Sequence, residues 1–415
     1  MHKNKAAITL IFITVVLDIT GIGIIFPIMP DLLQELGLSS VSNAALWGGV
    51  LASSYAIMQF LCSPIIGSLS DAVGRRKVIL IALSALSIDY LILGFAETFL
   101  ILMIGRIIAG IAGGTVPTAT AYLADISEPS DRAKNFGIIG AAFGVGFILG
   151  PALGGVLGEY NSRAPFFLSA FLTGINFLFG YFLLPESLTE EKRRPFNFRS
   201  INPFSTIWKT FSFGILRIPL ICYFIISIAH WVYPAIWSYW GKEVFGWGSG
   251  MIGISLAFYG LGISFVQGFI IRLKVISQLG ERFVVTASLT VGAFALSCFG
   301  FITEGWLVFC LIPFAALSEL LTPTLGGFLS NNVPDDRQGE FQGVLASLSA
   351  VTSIISPLIM TGLFNVWTSD TETYYVPGFP FIFAAILLLS TVIPLSFAMR
   401  LNTKAVITRD KMPHK

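Results

Sequence analysis

Residues 67–77 read Gly-Ser-Leu-Ser-Asp-Ala-Val-Gly-Arg-Arg-Lys, and this polar stretch connects the apolar run 46–69 to the apolar run 78–96. Apolar runs of about 20 residues that end in charges are typical of helices that cross a bilayer. Gly67 permits the close approach of two helices, and Gly74 permits a tight turn between them. The stretch therefore predicts two membrane-spanning helices joined by a short charged loop.

The charges of this loop allow two interpretations. In the first, Asp71 makes a specific contact with a helix N-terminus or with an arginine. In the second, Arg75, Arg76 and Lys77 only anchor the loop on one side of the membrane.

The composition extends the prediction of membrane helices to the whole chain. Of the 415 residues, 55% are hydrophobic and only 12% are charged, whereas about 25% are charged in a soluble globular domain. An ordinary soluble protein is therefore excluded, and the net charge of +2 does not suggest a nucleic-acid partner. Twelve apolar runs, each long enough to cross a bilayer, are bounded by charges, glycine or proline: 7–28, 46–69, 78–96, 99–122, 136–158, 164–184, 217–240, 250–271, 283–302, 305–328, 340–364 and 378–399.

The first run resembles a secretory signal peptide, because Lys3 and Lys5 precede its apolar residues. It contains Asp18, however, and it ends in Pro27 and Pro30 instead of a small-residue cleavage site. We therefore predict a retained first helix.

The basic residues predict the orientation. Twelve spans place both termini on the same side of the membrane. If that side is the cytoplasm, 22 of the 25 Lys and Arg residues lie in cytoplasmic segments, and the exceptions are Arg106, Arg163 and Lys242. By the positive-inside rule, both termini are expected in the cytoplasm.

The longest hydrophilic stretch, 185–216, lies midway along the chain. We interpret it as a cytoplasmic linker between an N-terminal six-helix half, 1–184, and a C-terminal six-helix half, 217–400, which a cytoplasmic tail, 401–415, follows. Within the linker, apolar residues recur at helical spacing after Asn202-Pro203 and predict a helix on the membrane surface. They are Phe204, Ile207, Trp208 and Phe211.

The two halves resemble each other at a constant offset. The segment Pro129-Ser130-Asp131-Arg132, followed by Phe136, recurs as Pro334-Asp335-Asp336-Arg337, followed by Phe341, and each position is displaced by 205. Duplication of a six-helix unit explains this repeat. Repeated halves of this kind commonly hold a substrate site near the midplane of the membrane and expose it to each side in turn, so the architecture suggests a transporter.

Ionisable residues within the predicted spans are few, and they are costly enough in a bilayer to be functional candidates. They are Asp18, Asp89, Arg106, His230 and Glu319. Structural explanations stay open beside the functional ones. Asp18 and Arg106 can form an ion pair, His230 near one end of span 7 can be an interfacial histidine, and Glu319 can serve helix packing alone.

Span 5 is rich in small residues: Gly137, Gly146, Gly150, Pro151, Gly154 and Gly155. The glycines give another helix a groove, and Pro151 removes a backbone donor and bends the helix. Packing alone can explain such a pattern.

Together these patterns resemble the major facilitator superfamily. The loop motif GxxxDxxGRR(K) of that family is met at 67–77, and its antiporter motif Gx8Gx3GPxxGG is met in full at 137–155. Further stretches look like the tetracycline/proton antiporters of the drug-efflux branch, namely 18–27, 88–91, 105–106 and 304–309.

The resemblance implies an all-α fold of twelve transmembrane helices in two pseudo-symmetric halves, in a bacterial inner membrane. It implies that Asp18, Asp89 and Arg106 form a polar network within the first half, and that Asp71 and Arg75 form a charge pair beside the gate. Gly67, Gly74 and Arg76 complete the gate motif.

The second half departs from that pattern. The tetracycline antiporters carry an acid in span 9 and a histidine in span 8, but Gly292 and Ile263 stand near those places here. This sequence adds His230 in span 7 and Glu319 in span 10. We predict that Glu319 lies in the central cavity and helps to compensate for the missing acid. Possible substrate contacts are His230, Gln59 and Gln267.

Two transport functions compete. The first is proton-coupled export of an amphipathic drug-like molecule or metabolite by a monomer. The alternative is proton-coupled import of a nutrient or an iron chelate on the same fold. A receptor or scaffold needs neither the repeat nor the buried carboxylates. The sequence has no phosphate-binding loop, nucleophile elbow, HExxH or CxxC motif, so we expect no enzyme activity, cofactor or metal.

Overall fold

The computed structural model describes residues 2–128, 131–196, 213–369 and 375–410. These residues form helices and loops and contain no strand. Twelve helical segments are long and apolar enough to cross a membrane, which confirms the predicted number. Spans 1 to 12 are Ala6–Glu35, Val41–Val73, Arg75–Gly94, Phe99–Ile126, Asn135–Tyr160, Ala164–Leu183, Arg217–Phe245, Ser249–Arg272, Glu281–Phe301, Gly305–Asn331, Asp335–Thr368 and Phe379–Leu401.

Large apolar side chains cover the outer faces of these helices. Ile88, Phe171, Phe182 and Ile393 are each more than half exposed. Soluble monomers rarely expose contiguous apolar patches larger than several hundred Å². The exposed residues therefore fit helices that are surrounded by lipid.

Several helices extend beyond their apolar runs. The first helix, His2–Glu35, continues through Pro27 and Pro30, so the prediction that its run ends at 28 was too short. Span 7 likewise extends to Phe245 instead of 240. A helix can continue into water after its apolar stretch ends, because its backbone hydrogen bonds lie within the helix.

Three of the described spans each consist of two consecutive α-helices. Span 4 is Phe99–Ala112 followed by Thr115–Ile126. Span 7 is Arg217–His230 followed by Val232–Phe245. Span 10 is Gly305–Ser318 followed by Leu321–Asn331.

The breaks in spans 4 and 10 occupy corresponding positions of the repeat. Gly114 lies in the first break and Glu319 lies in the second, and the two residues are displaced by the repeat offset of 205. The duplicated unit therefore interrupts the same helix in both copies, and the second copy carries a carboxylate there.

The helices group into two compact units. The first unit combines the described residues of Met1–Pro203 with Trp237–Ala257. Its core joins apolar side chains of spans 1, 3, 4 and 5, among which Ile11, Val15, Ile79 and Tyr122 are fully or almost fully buried.

The second unit combines the described residues of Phe204–Ile236 with Phe258–Lys415. Part of its core joins Val266 of span 8, Val284 of span 9, and Ala316 and Leu320 of span 10. The end of span 7 and the beginning of span 8 group with the first unit. These units therefore differ from the predicted halves 1–184 and 217–400, which stay a prediction. The predicted surface helix at 204–211 lies outside the described residues.

Candidate functional site

A buried ion pair joins spans 3 and 4. Arg106 Nη2 donates a hydrogen bond to Asp89 Oδ2, and both residues are buried. Gly105 gives this carboxylate its space, because a Cβ at that position would lie 2.8 Å from Asp89 Oδ1. Asp89 Oδ1 and Arg106 Nε find no hydrogen-bond partner among the described residues. The pair therefore keeps unused polar atoms in an apolar surrounding.

Span 2 supplies two side chains that flank this pair. The Arg106 guanidinium carbon lies 5.9 Å from the centre of the Tyr55 ring. Gln59 donates hydrogen bonds of 3.2 Å to the Tyr55 hydroxyl and 3.2 Å to the Gly113 carbonyl, at the break in span 4. The predicted substrate contact Gln59 therefore lies beside the ion pair and ties span 2 to this break.

Asp18 lies near the same cluster but does not pair with Arg106. Its side chain is half-buried and forms no ion pair with a described residue. Tyr55 and Tyr90 both lie within electrostatic range of Asp18, Asp89 and Arg106. The open alternative of an Asp18–Arg106 pair is therefore wrong, because the Arg106 guanidinium pairs with Asp89 instead.

The sequence analysis grouped these three charged residues but missed the two tyrosines near them. Tyr90 follows Asp89 directly, and Tyr55 precedes Gln59 by one helical turn. Gly21 leaves room for the Tyr90 hydroxyl, since any Cβ at that position would overlap with it.

The second unit holds a carboxylate at the break in span 10. Glu319 is half-buried, and the Tyr259 hydroxyl donates a 3.0 Å hydrogen bond to its Oε1. Gly292 of span 9 packs against Ser318, the residue before Glu319. A Cβ at Gly292 would lie 3.0 Å from Ser318 Cβ. A side chain at 292 has little room here. The prediction that Glu319 compensates for the missing acid of span 9 stays a prediction.

The two other predicted substrate contacts lie elsewhere. His230 is half-buried at the end of the first helix of span 7, so its predicted place near one end of the span was wrong. Apolarity alone did not reveal that this span continues to Phe245. Gln267 is exposed in the last turn of Ser249–Gly268.

The loop between spans 2 and 3 forms the predicted charge pair. Arg75 Nη2 lies 2.5 Å from Asp71 Oδ1, and Arg75 Nη1 donates a 2.5 Å hydrogen bond to the Ser70 hydroxyl. A third acceptor, Asp125 at the end of span 4, lies 3.3 Å from Arg75 Nε. The sequence analysis missed Asp125, which lies 50 residues away in the chain.

Glu186, just after span 6, also binds this loop and was likewise missed. Its Oε1 accepts hydrogen bonds from the backbone N–H groups of Arg75 at 2.8 Å and Arg76 at 3.4 Å. Gly74 adopts a φ of +106°, and a Cβ there would collide with the Glu186 carboxylate. Gly74 thus serves two needs, the turn and the space for Glu186.

Two other residues of the loop motif behave differently. Arg76 Nη2 donates a 2.5 Å hydrogen bond to the Tyr181 carbonyl, so it anchors the loop to span 6. A Cβ built on Gly67 has no described atom within 4 Å. The predicted close helix approach at Gly67 was therefore wrong, because no neighbouring helix reaches this position.

The glycines of span 5 contact two helices. Gly150 would place a Cβ 2.7 Å from the Thr20 carbonyl oxygen of span 1, and Gly154 would place one 2.9 Å from Ile24 Cα. On another face, a Cβ at Gly155 would lie 2.8 Å from Gly253 Cα of span 8. The predicted packing of another helix against these glycines therefore occurs on two faces of span 5, one against span 1 and one against span 8.

At one end of the first unit, a cavity of about 440 Å³ is lined by polar side chains of spans 1, 5, 7 and 8. Lys242 forms an ion pair with Asp31 at this cavity. Glu159 accepts a 2.7 Å hydrogen bond from the Gly250 backbone N–H. These contacts hold the segment Trp237–Ala257 within the first unit.

The geometry therefore comprises buried charges in membrane-spanning helices, repeated breaks in spans 4 and 10, and a charged loop between spans 2 and 3. The sequence profile of the Major Facilitator Superfamily matches residues 11–218 and matches again over residues 219–410. The chain belongs to the Major Facilitator Superfamily. It is a multi-pass membrane transporter and not an enzyme, as the sequence analysis expected.

Relatives within the Major Facilitator Superfamily include resistance proteins. The class C tetracycline resistance protein of Escherichia coli is 40% identical over 362 residues, which cover 87% of this chain and 90% of the relative. The quinolone resistance protein NorA of Staphylococcus aureus (strain COL) is 28% identical over 371 residues, which cover 88% of this chain and 91% of that relative.

Solved structures of superfamily transporters share the fold. A bacterial homolog of the human lysosomal transporter Spinster matches with a TM-score of 0.77 at 14% identity and covers 97% of this chain and 98% of its own. The human organic anion transporter MFSD10 matches with a TM-score of 0.70 at 24% identity and covers 94% of this chain and 99% of its own.

Proposed function

We propose that this chain is a proton-coupled exporter of amphipathic drug-like molecules that works by alternating access. The observation that carries the proposal is the cluster of Asp18, Asp89 and Arg106 within the first unit. Charged groups within a membrane are costly, and they mark proton relays and substrate pathways in transporters. The similarity to tetracycline and quinolone resistance proteins favours export over the alternative of import.

The two carboxylates of this cluster have different roles. Asp89 stays paired with Arg106, which supplies its counter-charge and orients it. Asp18 forms no ion pair with a described residue and is half-buried, so it is the carboxylate that exchanges a proton. Binding of the substrate and release of this proton exclude each other, and this competition couples the two flows.

Glu319 is the acidic residue at the break in span 10 of the second unit. Gly292 leaves little room for a side chain, and Glu319 follows the residue that Gly292 contacts. The carboxylate therefore lies in the region where tetracycline antiporters are expected to place their span 9 acid. It supplies a second charged group for transport.

The transporter resides as a monomer in the bacterial inner membrane. Both of its termini lie in the cytoplasm, an orientation that the distribution of Lys and Arg favours. In this orientation the Asp71–Arg75–Asp125 cluster lies on the cytoplasmic side and stabilises one of the two access states. The Asp31–Lys242 ion pair lies on the opposite side.

The decisive experiment uses inverted vesicles that contain the protein, with and without an acidic interior. We expect a proton gradient to drive the accumulation of tetracycline or of the dye ethidium. Asp18→Asn should abolish this accumulation, whereas Glu97→Gln, which alters an exposed loop carboxylate, should not change it. Uptake into right-side-out cells without accumulation in inverted vesicles would contradict export and support import.

A further inference from the structure

The segment between the apolar parts of spans 8 and 9 leaves an apolar surface uncovered. It consists of the 3-10 turn Ile270–Arg272 and the short helix Lys274–Leu279. Three isoleucines of the segment pack against the core of the second unit, namely Ile270, Ile271 and Ile276. Other apolar side chains are exposed, namely Phe269, Leu273, Val275 and Leu279. The segment therefore rests on the protein through some of its apolar residues and presents the others outward.

The uncovered surface continues the outer face of span 8. Phe258, Leu261, Phe265 and Phe269 follow one another at intervals of three or four residues, so they lie along one side of this span. All four are exposed, and the rings of Phe265 and Phe269 are stacked with their centres 5.5 Å apart. Phe283 at the beginning of span 9 is exposed as well. The segment therefore lies between two outer surfaces that suit contact with lipid, at the level where the apolar runs end.

Three exposed basic residues accompany these apolar side chains: Arg272, Lys274 and Arg282. Among the described residues, no carboxylate forms an ion pair with any of them. Arg282 Nε donates a 2.9 Å hydrogen bond to the Ser396 hydroxyl, which is neutral. The acidic residue of the stretch 269–283 is Glu281, in the first turn of span 9, where a carboxylate meets the positive end of the helix dipole. The stretch thus carries an excess of positive charge.

The loop between spans 2 and 3 has a similar backbone but different partners. Gly74 precedes span 3 with a φ of +106°, and Gly280 precedes span 9 with a φ of +77°. In the first loop the protein itself supplies carboxylates to Arg75. In the second unit the described residues supply none to the three cations of 269–283. The anionic partner of these cations therefore comes from outside the described part of the chain.

An anionic phospholipid has the chemistry that this surface needs. Its phosphate accepts charge-assisted hydrogen bonds from arginine and lysine, and its acyl chains cover apolar side chains. Basic residues next to a membrane-spanning helix attract anionic lipids in this way. A free phosphate ion would pair with the cations but would leave the apolar side chains in water. A soluble protein partner would have to cover a surface that continues along the outer face of span 8.

We propose that the stretch 269–283 binds the phosphate of an anionic phospholipid through Arg272, Lys274 and Arg282. The acyl chains of this lipid lie along the exposed side of span 8, next to Phe265 and Phe269. The bound phosphate holds the segment in place, as carboxylates of the protein hold the loop between spans 2 and 3. This inference depends neither on the substrate nor on the direction of transport.

The test is native mass spectrometry of the purified full-length protein in detergent, which counts bound lipid molecules and yields their dissociation constants. The probes are dioleoylphosphatidylglycerol, which is anionic, and dioleoylphosphatidylcholine, which has the same acyl chains and no net charge. We expect the double variant Arg272→Gln, Lys274→Gln to weaken binding of the first phosphatidylglycerol molecule by about tenfold or more. Binding of phosphatidylcholine should change by less than about twofold, because it does not depend on net charge.

The matched control is the double variant Lys77→Gln, Arg193→Gln. It removes the same amount of positive charge elsewhere, from exposed Lys77 and from Arg193, which pairs with Glu190. This control should bind phosphatidylglycerol as the wild type does. Gel filtration and thermal unfolding establish that each variant is folded. The charge-conserving variant Arg272→Lys should retain most of the binding, which separates loss of charge from damage to the fold.

Three results would overturn the inference. The first is equal affinity of the wild type for the two lipids. The second is an equal affinity for phosphatidylglycerol in the wild type and the folded variant Arg272→Gln, Lys274→Gln, or an equal loss in the control. The third concerns the free ion: inorganic phosphate, added at an ionic strength matched with chloride, should not displace phosphatidylglycerol, and displacement would assign the site to a soluble anion instead of a lipid.

Discussion

The Glu186 carboxylate accepts a 2.8 Å hydrogen bond from the backbone N–H of Arg75, the first residue of span 3. Glu186 Oε1 also accepts from the backbone N–H of Ser187, its neighbour in the linker. A carboxylate at a helix N-terminus satisfies orphan donors and favourably meets the helix dipole. The beginning of the linker therefore holds Arg75 in the position from which its guanidinium contacts Asp71.

We predict that Glu186→Ala lowers both stability and transport. Loss of a capping side chain typically costs about 1 kcal/mol, and Arg75 would lose the contact that orients it. Glu186→Gln keeps an acceptor oxygen and should retain most of the transport activity. Thermal unfolding and proton-driven accumulation in inverted vesicles measure the two effects. Equal loss in both variants would show that the charge, not the hydrogen bond, matters.

We predict that Asp71→Asn impairs transport far more than Lys77→Gln. Asp71 forms an ion pair with Arg75, whereas Lys77 is exposed and its role in anchoring the loop is shared with basic neighbours. Transport rates are compared at matched abundance in the membrane. Equal activity of the two variants would remove the gating role and leave the loop as a topology anchor.

We predict that Arg106→Gln destabilises the protein strongly, because it leaves the Asp89 carboxylate buried without its partner. Removal of one partner from a buried ion pair costs about 3–5 kcal/mol. The double variant Asp89→Asn, Arg106→Gln should recover much of this stability but not the transport activity. The apparent unfolding temperature of the three proteins in detergent tests the pair, and a double variant no more stable than Arg106→Gln would contradict it.

We predict that Gly150→Ala destabilises the protein while Gly137→Ala does not. The added methyl at 150 would press on the backbone of span 1, at 2.7 Å from the Thr20 carbonyl oxygen, and such overpacking costs about 1–3 kcal/mol. At Gly137 the structure leaves open space within 4 Å. Replacement of this helical glycine should be neutral or should stabilise by up to about 1 kcal/mol. The unfolding temperatures of the two variants test this prediction. A lower unfolding temperature for Gly137→Ala than for Gly150→Ala would contradict the packing of spans 1 and 5.

The number of spans, their approximate places and the loop motif were predictable from the sequence, because they depend on local properties. A helix that crosses a bilayer needs about 20 consecutive apolar residues. Its backbone hydrogen bonds lie within the segment, so each apolar run of that length predicts a helix wherever it lies in the fold. The exceptional charges Asp18, Asp89, Arg106 and Glu319 were conspicuous for the same reason.

Only the tertiary structure decided which of these residues meet. Arg106 pairs with Asp89 instead of Asp18, and Glu186 caps a helix that begins 111 residues earlier. Gly67 and Gly150 have the same chemistry, yet one faces open space and the other faces the backbone of span 1. Apolar periodicity is weak in helices that are hydrophobic on every side, and it does not reveal which face meets a neighbour. Partner choice instead depends on how the helices pack and where they break, which involves residues far apart in the chain.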